Sequence, residues 1–450
     1  WFDVSGDGRA DFAISFSDGR LDQLLYDDDQ DGLPDRAYRP ADYANQQVPH
    51  VILLLDSIPY QTVADRYQAG DLRWFDAPQK LIAPFPTLTE ICFSDVFHAP
   101  PLPGIIDRHY DPRTGEIENG LWKRVRGRRQ PWERRLHYGA AYLEHGLSFL
   151  DPRGWYAAEL RRAYDAIDRS PDRVTFVYFA SAASMVCKFG RKGAQEVLDG
   201  AQRLCLQLLY DRRGAIKISM MSDHGHNYTP SRNIRLEKLL KDAGFRPGRR
   251  IDHDDDVVLD INGLVSCAGV HTRRPQRVAE ALLGEQAIEL AIYMEHDCAI
   301  VRSAALSAAI ECRSGRLRYR PIDADVLELM PLIRRLQQQG LADADGFASD
   351  EVWFRHTLDH TWPNAPRRIW DALHRLVVNP PTVLLSLRDG YCAGIAAYER
   401  YISMQSTHGG LNQANSAAFV MSMTGRVHHP LPHQNVLPRL EPGYTPRVLR

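Results

Sequence analysis

Three short apolar runs, each stopping at polar residues, limit what this chain can fold into. They are VPHVILLLD (48–56), RVTFVYFASA (173–182) and AIKISMMSD (215–223). Such runs are apolar at nearly every position, as in a strand buried on both faces, and a parallel sheet covered by helices on both sides is what buries strands that way. The intervening text agrees. IPYQTVADRYQAGDLRWF, GAQEVLDGAQRLCLQLLYDRRG (193–214) and NIRLEKLLKDAGF carry the apolar spacing of helices. Alternating strands and helices predict an α/β fold, a three-layer α/β/α sandwich with a mostly parallel central sheet.

The pattern organises residues 48–430 as one large unit. Within it, 256–320 reads as strands with one helix, extending the sheet or adding a smaller α+β piece. Residues 325–380 read as mainly helical, so 256–380 is the looser region. TVLLSLRDGYCAG (382–394) and FVMSMTG (419–425) return to strand. After Arg426 the text is rich in Pro and His, and 431–450 is expected to pack as a Pro-rich irregular tail.

Residues 1–40 differ in character. DVSGDGRAD and DDDQDGLPD both fit D-x-[SD]-x-D-G-x-x-D and start 24 residues apart. That spacing of oxygen ligands, with glycine at the sixth place, curls a loop around a hard cation. Asp3, Asp7 and Asp11 in the first copy and Asp27, Asp29, Asp31 and Asp35 in the second are the candidate Ca²⁺ ligands. Plain Asp/Gly turns are the alternative. Calcium at useful concentration lies outside the cytoplasm, so an extracytoplasmic (periplasmic or secreted) location is expected. The opening on Trp1 rather than Met implies a segment ahead of it.

Composition removes other classes. A net charge of −2 over 450 residues gives no field for capturing nucleic acid or an anionic membrane, so no nucleic-acid groove is indicated. No apolar run approaches the ~20 residues of a membrane span. Seven cysteines are scattered singly without CxxC, which indicates neither a zinc ribbon nor a disulfide scaffold.

Polar strand ends then become the candidates for chemistry, because open α/β sheets bind ligands at the carboxyl edge of their strands. Asp56 follows VILLL, Asp223 and His224 follow ISMMS, and His408 lies in STHGGLN. PFPTLTEICF (84–93) puts Thr87 and Thr89 ahead of a helix. A threonine there is either an N-cap or a nucleophile activated by a bound dication.

The order of these pieces resembles the alkaline phosphatase superfamily, most closely its type I phosphodiesterase / nucleotide pyrophosphatase branch. The matches are Asp56 in VILLLDSIP, Thr89 in FPTLTE, the stretch PGIIDRHYDP (103–112), Asp223 and His224 in SDHG, and His408 in THG. The resemblance implies a metal-dependent phosphoester hydrolase acting on a phosphorylated small molecule through Thr89 and a phospho-threonine intermediate. It assigns Asp56, Asp223, His224 and Thr89 to one divalent ion, zinc by family habit, and His408 to a second. The second ion's remaining places, an aspartate and a histidine in the family, fall on Ala183, whose methyl group cannot bind a metal, and on Cys187, whose thiolate can ligate zinc as a remnant of the site but with His408 alone leaves the sphere underfilled. Two main readings stand: an enzyme with one complete metal site, or a catalytically impaired relative acting as a metal- and ligand-binding or interaction protein. A different reaction on the same fold is the third.

Lesser signals remain. His226 reads as an exposed loop histidine or a substitute ligand, and Asn412 as a turn former or a substrate contact. The basic run 122–135 reads as a solvated face or a hold for an anionic substrate, and His271 as structural. Glu90 is out of place beside a phosphate-attacking threonine unless a partner neutralises it.

Overall fold

In the computed structural model the strands His50–Leu55, Val174–Phe179 and Lys217–Ser222 lie parallel and adjacent, with Leu53 opposite both Val177 and Met220. The structure describes residues 1–17, 20–39, 48–120, 129–261, 263–400, 402 and 404–444. Successive strand side chains point to opposite faces. Val51, Leu53, Leu55, Val177, Phe179, Ile218 and Met220 therefore join one core with the helices Tyr60–Gln68, Pro152–Arg169 and Ser181–Asp211. Ile52, Leu54, Phe176, Tyr178 and Met221 join another with the helices Thr89–Val96 and Val436–Leu440. This is the expected α/β layering, and each fully buried aliphatic side chain in it contributes about 1.5–3 kcal/mol of apolar burial. Seven strands complete the sheet, in the order Leu431–Pro432, Gln79–Ile82, Ala417–Ser422, Lys217–Ser222, His50–Leu55, Val174–Phe179, Tyr138–Gly139. Only Ala417–Ser422 runs antiparallel to its neighbours.

Residues 246–387 form a second sheet of eight strands rather than a smaller appendage. Its pairs are antiparallel apart from Arg246–Pro247 against Asp256–Asp260. The reason is local. Glu295 pairs with Cys298 and Arg313 with Arg316, so two-residue turns join these strands, and such turns demand hairpins. His296 and Ser314 adopt φ of 52° and 50° to make them. The strand Val383–Leu387, expected within 382–394, inserts into this second sheet. Between the sheets lies the helix Thr89–Val96, with Leu88 and Ile91 in the core of the second sheet and Phe93 and Val96 in that of the first.

Two local expectations are corrected. The run read as strand through residue 182 ends at Phe179, and Ser181 already opens a helix that continues to Asp211, broken at Gly190 (φ 57°, ψ −137°). Small residues in ASAAS favour helix over strand. The segment after Arg426 is not irregular throughout: Leu431 pairs with Leu81, and Val436, Leu437 and Leu440 bury one face of a short helix. Glu441 at its end accepts from Arg173 and lies 2.9 Å from the buried His50. Residues 445–450 lie outside the described residues.

The start of the long helix carries a buried acid. Glu159 is 1 % exposed and accepts from the backbone N–H and hydroxyl of Ser181 through Oε2, while Oε1 has no partner. Burial pushes its pKa up to about 7 from the usual 4.5 of a glutamate. A raised carboxyl favours the fold while protonated, so its contribution is intact below pH 4.5 and is lost as the pH rises through about 7. Glu159→Gln is expected to remove that loss, roughly 3 kcal/mol above pH 7, flattening the dependence of Tm on pH between 5 and 8.5. Unchanged pH dependence in the variant would contradict the assignment.

The first strands, Phe12–Ser17, Arg20–Tyr26 and Arg36–Tyr38, form a small antiparallel sheet. Phe12 and Tyr26 pack on Tyr210, and the Tyr26 hydroxyl donates to Leu209 O at 2.6 Å. Among the described residues no helix is long and apolar enough to cross a membrane.

Candidate metal centre

The parallel strands His50–Leu55 and Lys217–Ser222 run in register, Leu55 beside Ser222, so the residues that follow them emerge side by side. Asp56 and Asp223 are thereby brought together at the carboxyl edge, both wholly buried. Ser57 adopts φ 66° and its N–H donates to Asp223 Oδ1 at 2.9 Å, while its hydroxyl donates to Asp56 Oδ1 at 2.7 Å. Tyr178, one strand over and opposite Leu54, donates its phenol to Asp56 Oδ2. Asp223 Oδ2 is left with no hydrogen-bond partner.

His224 completes the group. Its Nδ1 lies 3.0 Å from Gly225 O and so carries the proton, which leaves the Nε2 lone pair 3.2 Å from Asp223 Oδ2 and 4.0 Å from Asp56 Oδ1. Gly225 is required there, since a Cβ would lie 2.2 Å from Ala414 O. Thr89 opens the helix Thr89–Val96, and its Oγ1 lies 3.4 Å from the same His224 Nε2. The helix start has no side-chain cap, which leaves backbone N–H groups of its first turn for an anion.

Burial raises both carboxyl groups, Asp56 further through the neighbouring Asp223, and pushes His224 down to about 4. Two buried carboxylates, a neutral imidazole offering its lone pair and an orphaned carboxylate oxygen form a site with negative charge and no cation to balance it. That donor set suits a divalent ion of the zinc or manganese kind. Asp56, Asp223 and His224 place ligand atoms within 4.8 Å of one another, and among the described residues only Asp27, Asp29 and Asp35 do the same.

His408 does not join that group. Its ring stacks on His224 at 4.0 Å between centroids, with Nδ1 2.8 Å from Thr87 O. Thr87 is a tie, its hydroxyl accepting from Gly409 N at 2.8 Å. His226 is 2 % exposed rather than on the surface, because the loop 406–408 folds over it: its ring lies 5.0 Å from that of His408, Nδ1 bonds Ser406 and Nε2 has no partner. Ala183 and Cys187 are buried in the long helix, the thiol pushed up by burial and by Asp56. No second set of three acidic, imidazole or thiol ligands assembles around His408 among the described residues. The residues present fit one ion and not two.

Asn412 spends its side chain locally, Oδ1 accepting from Asn415 N at 3.0 Å and Nδ2 donating to Asp389 at 3.0 Å. His271 pairs with the buried Asp260 at 2.9 Å. Glu90 accepts the Trp132 indole N–H at 2.7 Å, a contact between residues 42 positions apart. A cavity of about 610 Å³ opens beside it, with Ile105, His109, Arg129 and Arg134 on its walls. Residues 122–128 of the basic run lie outside the described residues. Tyr178, Ser57 and Glu159 were not singled out from sequence; alternation along VTFVYF does place Tyr178 on the face of Leu54, one residue from the strand end.

The two Asp-rich loops are structural copies. Gly8 N donates to Asp3 and Gly32 N to Asp27, each at 2.9 Å, with φ of 88° and 91° at the two glycines. Asp11 accepts from Val4 and Ser5, as Asp35 accepts from Asp28 and Asp29. Asp7 and Asp31 accept from Arg9 and Leu33 two residues on, and Gln30 reaches across to Asp7 at 3.1 Å.

No protein-family model matches the chain. No curated protein matches it either. Among solved structures, that of phosphonoacetate hydrolase from Sinorhizobium meliloti 1021, in complex with phosphonoacetate, aligns with a TM-score of 0.45 at 10% sequence identity. The alignment covers 89% of this chain and 95% of that one, a distant likeness that decides neither family nor substrate.

Proposed function

We propose that the chain is a metal-dependent phosphoester hydrolase of the alkaline phosphatase superfamily, with Thr89 as nucleophile and Asp56, Asp223 and His224 as ligands of one divalent ion. The observation that carries this is the buried Asp223 Oδ2, unpartnered and facing the His224 Nε2 that also lies 3.4 Å from the Thr89 hydroxyl. A cation bound there supplies Lewis acidity, favouring the alkoxide and neutralising phosphoryl oxygens. Thr89 Oγ1 attacks phosphorus in line as the bond from phosphorus to the leaving oxygen breaks, and the leaving group departs with the proton that the threonine gives up. The uncapped first turn of its helix would hold the equatorial oxygens, and water then breaks the Thr89–phosphorus bond, restoring the hydroxyl and releasing a phosphomonoester from a diester. Ser57 and Tyr178 hold the carboxylates in place. Diesters or pyrophosphates are preferred over monoesters on the branch resemblance, with the organic part in the cavity beside Glu90.

The test is hydrolysis of a chromogenic phosphodiester and a phosphomonoester with Zn²⁺ or Mn²⁺ added and removed. Metal-dependent turnover of the diester is expected. Inertness toward both at saturating metal favours the second reading, a binding protein, which the missing ligands at Ala183 and Cys187 support.

The Asp-rich loops are read as Ca²⁺ sites, the copy at Asp27, Asp29 and Asp35 foremost, and with them an extracytoplasmic location. Millimolar Ca²⁺ is expected to raise Tm by ~1 °C for each kcal/mol of binding, and Asp35→Ala to abolish the rise. A calcium-independent Tm would remove this reading.

A further inference from the structure

Away from that centre, a guanidinium is buried without a counter-charge. Arg368, in the helix Ala365–His374, is 4 % exposed. Its Nη1 donates to Pro363 O at 3.1 Å and Leu411 O at 2.8 Å, while Nε and Nη2 have no partner. His433 is 1 % exposed, with its ring against the backbone of Cys92. Both residues line a cavity of about 30 Å³ that also meets Asp95, Asp350, Asn364 and Asp371.

The acids on that wall are engaged elsewhere. Asp371 lies 3.0 Å from Arg367, and Arg375 lies 2.9 Å from both Asp95 and Asp371. Asp350 accepts from Asn364 Nδ2 at 3.0 Å. Burial draws Arg368 down to about 9, with no carboxylate among the causes acting on it, so it stays charged at neutral pH. Leaving a cation unpaired inside a protein costs several kcal/mol. The cavity has room for one occupant of about the size of a water molecule. Water would satisfy the nitrogens and the unpartnered Asn364 Oδ1, yet leave the charge standing.

We propose that this cavity binds one small monovalent anion, chloride in ordinary solution, held by Nε and Nη2 of Arg368, with His433 on the cavity wall. The inference is independent of the chemistry assigned to Thr89. The site ties two parts of the metal centre together: Arg368 grips Leu411, just past the loop of His408, and His433 hydrogen-bonds the backbone of Cys92 on the helix of Thr89.

The test uses the intact protein with chloride and bromide as probes. Thermal unfolding in sodium chloride or bromide is expected to exceed that in sodium gluconate of equal ionic strength by ~2 °C, saturating with halide. Arg368→Met is expected to lose the difference. Crystals grown in sodium bromide are expected to show an anomalous bromine peak between Arg368 and His433, a measurement that stands even if the variant does not fold. Halide-independent Tm, or a bromine map empty at the cavity, would overturn the proposal and leave a water site.

Discussion

Thr89→Ala is expected to lower phosphoester turnover by at least ~10³-fold, about 4 kcal/mol of transition-state stabilisation, because no other hydroxyl takes the place of the nucleophile. The fold should not notice. The Thr89 side chain is half-buried, and its hydroxyl faces His224 Nε2 at 3.4 Å and the Asp223 carboxylate. Tm is expected to move by less than ~0.5 kcal/mol equivalent, the usual range for such a site. Metal affinity should persist through Asp56, Asp223 and His224, and Thr89→Ser should recover part of the rate. Full activity in Thr89→Ala would move the nucleophile elsewhere and end the proposed chemistry.

Removing the metal carries the second large effect, and its sign can be checked twice. Chelation is expected to lower Tm and re-addition of Zn²⁺ or Mn²⁺ to restore it, about 2.7 kcal/mol at a hundredfold excess over Kd. Asp223→Asn should behave oppositely in the two states. In the apo protein the amide Nδ2 can donate to the His224 Nε2 lone pair, now 3.2 Å from an orphaned oxygen, and one of two adjacent buried carboxylates is gone. That satisfies a buried pair and is worth roughly 1–3 kcal/mol of added stability. With metal present the variant falls below wild type, because a neutral amide is a poorer ligand than the carboxylate and the ion stabilises it less. Calorimetry of both forms reads the crossover, and an apo Asp223→Asn less stable than apo wild type would contradict the description of the site.

Much of this arrangement is legible in the letters. VILLL is apolar throughout and ISMMS carries only small serines between its apolar residues, so they read as central strands, and the polar residues closing them had to fall at one sheet edge. The second sheet was harder. Its strands look like more of the same in composition, and only short turns such as Ser314–Gly315 between Arg313 and Arg316 mark them as hairpins. The second strand ends earlier than its letters suggest, because ASAAS is apolar enough to continue a strand while helix propensity decides otherwise. Burial of His226 was invisible, since it depends on the loop 406–408 folding over it from 180 positions away. Glu90 against Trp132 is the same kind of contact: neither residue names the other in sequence.

The loop that closes over the centre has a consequence for how the molecule comes into being. It is clamped from the second sheet, Ser266 N donating to His408 O at 2.6 Å and Ser386 Oγ accepting from Leu411 N at 3.1 Å. During synthesis Asp56 and Asp223 emerge long before that clamp exists, and contacts of such sequence separation form late and slowly. The nascent chain therefore passes through a stage in which its paired acids are made but uncovered, open to whichever ion the compartment offers first.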